Sequence, residues 1–234
     1  MTRLHVAWAE PAAPESAERL LTATELDRLR SFRRQADRDR FRGAHVLARL
    51  VAAEAMGVAP DAVALRQTCT TCGGPHGRPS IAAPDAPHIS WSHAGERVLV
   101  AVTHLGPVGV DVESVAAVGT ARVDRLALAP DEFDRLPPDG PGAAGMTPDR
   151  WRAVSWARKE SLLKATGDGL SVRMTDLVVA PSDEPARLVS WPGRDPGTVR
   201  MADLDLGPEY AACLAVRTSA ELPPVVPVEV DLTA

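Results

Sequence analysis

Residues 156–170 read WARKESLLKATGDGL, and the period of that stretch decides the architecture. It predicts the longest helix of the chain over 150–166, ended by Gly167 and Gly169, since glycine commonly follows a helix C-terminus. Trp156, Lys159, Glu160, Leu163, Lys164 and Gly167 recur at the spacing of one helix face. An apolar face would be core; this one mixes an indole, two ammonium groups and a carboxylate. It reads either as a solvated face with a Glu160–Lys164 pair, or as a site where Glu160 completes a metal centre and Lys164 meets a phosphate as a point charge. These two lysines are the only ones among 26 basic residues, the rest being arginine.

Upstream, Val108-Gly109-Val110-Asp111-Val112-Glu113 alternates with period two. On a strand, the valines face the core and Gly109, Asp111 and Glu113 share the other face. Two carboxylates on one face repel unless something positive lies between them, and oxygen-only ligands suit Mg²⁺. A solvent-facing edge with two ordinary charges is the plainer alternative.

Further out, residues 22–34 read as a helix capped by Thr22 or Thr24, and Phe41, Ala44, Ala48, Val51 and Ala55 continue at helical spacing to Gly57. Residues 60–87 read as loops and short strands. Ile89 to Ser92 and Arg97 to Thr103 read as strands about a turn at Ala94-Gly95. Residues 121–136 read as one acidic-capped helix, and 137–149 as a loop. Leu177–Val179, Ala186–Ser190 and Tyr210–Val216 read as strands, followed by an extended tail. Each half thus runs helix, then antiparallel strands, with domains expected at 1–107 and 108–234. The first carries 13 basic and 11 acidic residues, the second 13 and 20. Within 28–49 there are eight arginines against Asp37 and Asp39. A basic half facing an acidic one suggests an anion held between them; a solvated helix face explains the arginine run equally well.

The 234 residues suffice for a core without staples, and a net charge of -5 disfavours general nucleic-acid binding. No stretch approaches the ~20 apolar residues of a membrane span. Three cysteines and an N-terminus without an apolar signal core lead to the expectation of a reducing, cytoplasmic setting.

The segment Trp156 to Leu170 resembles the WxxKExxxKxxG signature of the 4'-phosphopantetheinyl transferases, and GVDVE (Gly109 to Glu113) resembles their GxDxE motif. Gly77-Arg78-Pro79 and Ser92-His93 resemble the shorter GKP-like and SHS-like motifs, in the right order, so the resemblance covers residues 20–216. Length and doubled organisation resemble the monomeric surfactin-synthetase-activating class. The implied fold is α+β, a pseudo-dimer of two similar halves, each an antiparallel sheet packed with a long helix. The implied activity moves 4'-phosphopantetheine from coenzyme A to a serine of an apo acyl or peptidyl carrier protein of polyketide, nonribosomal peptide or fatty acid synthases, releasing 3',5'-ADP. By position, the resemblance implies that Asp111, Glu113 and Glu160 hold Mg²⁺, that Glu160 is the base, and that Lys164 contacts the pyrophosphate. It implies coenzyme contacts for Lys159, Ser92, His93, Arg78 and Pro79, and for Arg33 and Arg40 near the 3'-phosphate. The carrier protein is expected to dock around 114–150 through apolar and basic surface. Two departures stand out: Ala94 replaces the second serine of the SHS-like motif, and Arg78 the lysine of the GKP-like one.

Cys69-Thr-Thr-Cys72 with His76 resembles half of a zinc ribbon, short of the four ligands a structural site wants, since Cys213 lies in the apolar run YAACLAV. Two other readings therefore stand beside the transferase: a Mg²⁺-dependent hydrolase of nucleotide pyrophosphates, which needs only the carboxylates and a lysine, and a zinc-ribbon interaction module without catalysis.

Overall fold

The structure, a computed structural model, describes residues 4–68, 73–74, 77–121, 123–137 and 146–233. The Cys69/Cys72 pair and His76 lie outside the described residues, as does most of the loop expected at 137–149. The chain divides into two units, Met1–Pro107 with Pro227–Ala234, and Val108–Val226. Among the described residues no helix is long and apolar enough to cross a membrane.

The first unit is built on β5 (Arg97–Thr103), whose residues 98–103 are all buried. It pairs antiparallel on one side with β1 (Leu4–Ala9) and on the other with β4 (His88–Ala94), where Gly95 turns the hairpin at φ +52°. β1 was not foreseen, because a strand buried between neighbours need not show the polar-apolar alternation of a half-exposed one. The tail returns as β11 (Val228–Glu229), parallel to β1, and Leu232 is buried in this unit's core. The helix expected at 22–34 stops sooner. It is α1 (Ala23–Ser31), and Thr22 and Glu25 cap it reciprocally: Thr22 N–H donates to Glu25 Oε2 at 2.7 Å and Glu25 N–H to Thr22 Oγ1 at 3.3 Å. The chain breaks at Phe32 and restarts as α2 (Gln35–Met56), ended by Gly57 at φ +68°, a conformation that favours glycine. Phe41, Ala44, Leu47, Ala48, Val51 and Ala52 share a core with Val98, Val100 and Val102 of β5. The arginine run divides: Arg42 and Arg49 are buried against Glu18 and Glu25, while Arg33 is exposed. A short pair, β2 (Leu65–Gln67) with β3 (Pro79–Ile81), completes the unit.

The second unit is a three-stranded antiparallel sheet in the order β6 (Val108–Ser114), β10 (Tyr210–Val216), β9 (Arg200–Leu204). α3 (Val115–Ala121) follows β6, and the single helix expected over 121–136 is instead two short ones, α4 (Asp124–Ala127) and α5 (Pro130–Phe133). Proline forces the break, since Ala129 before Pro130 is extended (φ −66°, ψ 156°). The decisive helix is α6 (Pro148–Thr166), capped by Thr147 and ended by Gly167 at φ +80°; at 19 residues it is not the longest, since α2 has 22. It is buried round most of its circumference, which removes the solvated-face alternative for its mixed stripe. A small antiparallel pair, β7 (Val178–Val179) with β8 (Leu188–Ser190), lies beyond it. Both units are thus α+β, each with a sheet and one long helix.

Candidate active site

The strand β6 is buried on both faces, unlike an ordinary solvent-facing edge. Its register with β10 places Gly109, Asp111 and Glu113 opposite Ala215, Cys213 and Ala211. That face of small residues lets α6 come down onto the sheet: Ala153, Val154 and Ala157 pack on Ala211 and Cys213, and Leu162 and Ala165 pack near Ala215. At Gly109 the approach is backbone to backbone. A Cβ there would lie 2.1 Å from Ser161 O and 2.5 Å from Ala165 N. The glycine of GVDVE is therefore a contact requirement that seats the helix over the two carboxylates.

That seating brings Lys164 to Asp111. The ammonium lies 2.7 Å from Asp111 Oδ1 and donates to Val110 O at 3.1 Å. Asp111 is almost wholly buried, whereas the Lys164 side chain keeps 30% of its exposure. Glu113 and Glu160 stand in the same electrostatic neighbourhood. Burial pushes the Glu113 carboxyl up to about 8, reinforced by the Asp111 charge and, more weakly, by Glu160, with Lys164 opposing. Glu160 is likewise held above the usual carboxylate range, by burial first and by Asp111, again against the pull of Lys164. With Glu113 and Glu160 both raised beside the Asp111 charge, the three carboxyl groups form an oxygen-only donor set in want of positive charge. Among the described residues no three His, Cys, Asp or Glu side chains already stand close enough to hold a metal ion. The chemistry of the donors fits a hard divalent cation, with Lys164 the charge now lying against Asp111.

Lys159 is placed differently from the expectation of a coenzyme contact. Its side chain is fully buried, and an ammonium has three donors. They go to Glu132 Oε2, to Ala127 O at 2.7 Å and to Met174 O at 3.0 Å, leaving none for a phosphate. One residue along a helix turns about 100°, which explains how Lys159 and Glu160 serve different surroundings. Trp156 is half-buried against the core beneath α6, in line with a packing role. The sequence reading took Glu132 only as part of an acidic helix cap with Asp131; its one local signal was a carboxylate pair directly after the apolar LALAP of 126–130.

The remaining expected residues all lie in the first unit. Arg78 and Pro79, beside Ser80, His88 and Ile89, line a cleft of about 260 Å³. His88 is held below the usual histidine range by burial and then by Arg78 and His104. Ser92 and His93 lie toward the far end of β4, where Arg40 donates to Gly95 O at 3.3 Å while paired with Asp37 at 2.6 Å. His88 and His93 are about 16 Å apart along the strand. The structure therefore places Arg78 and Pro79 by one end of β4 and Ser92, His93 and Arg40 by the other, while Arg33 is exposed.

Residues 107–215, which include β6 and α6, match the 4'-phosphopantetheinyl transferase superfamily. A 4'-phosphopantetheinyl transferase of Bacillus subtilis is 27% identical over 196 residues, 83% of this chain and 82% of that protein. A phosphopantetheinyl transferase of Thraustochytrium is 32% identical over 173 residues, 68% of this chain and 58% of that protein. One from Bacillus pumilus is 27% identical over 150 residues, 62% of this chain and 60% of its own length. The matched segment is the one whose glycine, carboxylates and lysine are assembled by β6 and α6, so residues 107–215 carry a domain of the 4'-phosphopantetheinyl transferase superfamily.

Proposed function

We propose that the protein transfers the 4'-phosphopantetheine group from coenzyme A to a serine of an apo acyl or peptidyl carrier protein, releasing 3',5'-ADP. The observation that carries this reading is the gathering of Asp111, Glu113 and Glu160 about Lys164 at the β6–α6 contact. Asp111, Glu113 and Glu160 would hold Mg²⁺, which supplies positive charge to the pyrophosphate when bound. Glu160, already held above the usual carboxylate range, is suited to accept the serine proton near neutral pH. Lys164, partly exposed, offers an ammonium to the phosphoryl oxygens and to the departing 3',5'-ADP. Arg78, Pro79, Ser92 and His93 belong to the coenzyme end, with Arg40 and Arg33 toward the 3'-phosphate. Their spread along β4 suits an extended ligand rather than a compact one.

The carrier protein would meet the region of α4 and α5, where Leu126 and Phe133 are 63% and 50% exposed. The basic character expected there is diluted, for Arg125 and Arg135 stand among Asp124, Asp131 and Asp134. The test is intact-mass spectrometry of several apo-carrier proteins incubated with enzyme, coenzyme A and Mg²⁺. A phosphopantetheine mass shift is expected, and it should be lost with Glu160→Gln although that variant stays folded. Release of phosphoadenosine with no carrier modified would make the protein a pyrophosphate hydrolase instead.

A further inference from the structure

Lys159 and Glu132 form an ion pair in which both side chains are buried, one residue from Glu160 in sequence. Neither group reaches Asp111, Glu113 or Lys164 through any hydrogen bond described above, yet every polar atom of the pair is used. Lys159 reaches the end of α4 at Ala127 O, α5 at Glu132 and the turn after α6 at Met174 O. Glu132 Oε2 also accepts from Ala129 N–H at 2.8 Å, and its Oε1 accepts from Val179 N–H on β7 at 2.9 Å. Lys159 thus ties three segments to α6, and Glu132 adds β7 as a fourth. The pair joins α6, which carries Glu160 and Lys164, to the short helices that carry Leu126 and Phe133.

Burying an ion pair contributes little net stability, because desolvation offsets the attraction. Hydrophobic residues would fill such a core at least as well. What the pair does supply is direction: three acceptors around one compact ammonium define how α6 is rotated and where α4 and α5 sit. In a chain with 24 arginines a lysine stands here, where a forked guanidinium would not fit three convergent acceptors.

We propose that Lys159 and Glu132 are positioning residues, aligning the Leu126/Phe133 surface that receives the carrier protein with Glu160 and Lys164. This rests on the transferase reading above. In Lys159→Met, kcat/KM for the carrier protein per folded molecule should fall about tenfold, the scale of a small misplacement. KM for coenzyme A should stay within about twofold. Glu132→Gln should behave alike, since it leaves the ammonium buried without its counter-charge. The double variant Lys159→Met/Glu132→Gln should recover part of the loss, because the glutamine NH2 can donate to the carbonyls that Lys159 leaves while its one oxygen still accepts from Val179 N–H. Should Lys159→Met fail to fold, the double variant and Glu132→Gln carry the comparison.

Amide hydrogen exchange provides a readout independent of turnover: residues 127–133 should exchange faster in each single variant and less so in the double one. A coenzyme A KM raised about tenfold would make Lys159 a phosphate ligand and overturn the proposal. So would unchanged kcat/KM per folded molecule, or unchanged exchange. If wild-type enzyme modifies no carrier protein, the transferase reading fails by itself, and the exchange result still decides whether the pair positions α4 and α5.

Discussion

Gly109 and Lys164 show how little room the site leaves. With Ser161 O only 2.1 Å from where a Cβ would stand, Gly109→Ala must push α6 off the sheet. The expected cost is about 1–3 kcal/mol in chemical denaturation, with turnover falling further than stability because Glu160 and Lys164 move together. Lys164 presents the opposite problem, one of shape. Its ammonium fits between Val110 O and Asp111 Oδ1, and a guanidinium is wider and planar. Lys164→Arg is expected to lower kcat by about tenfold or more while the protein melts near the wild-type temperature. Near-normal kcat would contradict the point-charge role.

Among the elements, α1 and α2 are joined by charges that packing hides. Glu25 caps α1, accepts from Arg49 at 2.7 Å and faces His45 at 3.7 Å. Burial holds His45 below the usual histidine range despite Glu25, so it is neutral in the folded state at neutral pH. The unfolded chain takes up that proton below about 6.5. It therefore binds more protons than the folded chain, and stability should decline as the pH falls through that range. Urea denaturation at several pH values would show the decline, and His45→Gln should flatten it. The sequence showed where α6, β4, β5, β6 and β10 lie, because their periodicity and terminal glycines are local properties. It did not show β1 and β9, whose residues make sense only beside neighbouring strands, nor the break at Ala129-Pro130. Likewise Asp111, Glu113, Glu160 and Lys164 were legible as a motif. Lys159 was misread, because a helix buried almost all round offers a different partner every 100°, and only the fold names each one.

For the molecule as a whole, the proposed roles divide between units of unlike charge, and that division can be measured. Mg²⁺ alone should slow hydrogen exchange in β6 and along α6 near Glu160, while amides of α2 and β5 stay as they were. Protection appearing first around Arg78 or Arg40 would place the cation elsewhere. The α+β class with a sheet and one long helix in each unit was readable from the order of periods along the chain. The last residues, 227–234, join the first unit rather than the second.

That last point bears on how the protein can be taken apart. Read along the polypeptide, Val108–Val226 is an insertion within the first unit, whose sheet is completed by residues from beyond it. A gene cut after codon 107 would encode a sheet lacking its outermost strand and the side chain of Leu232 that seals its core. Dissection of the enzyme into halves should therefore replace 108–226 with a short linker, keeping β11 in covalent reach of β1.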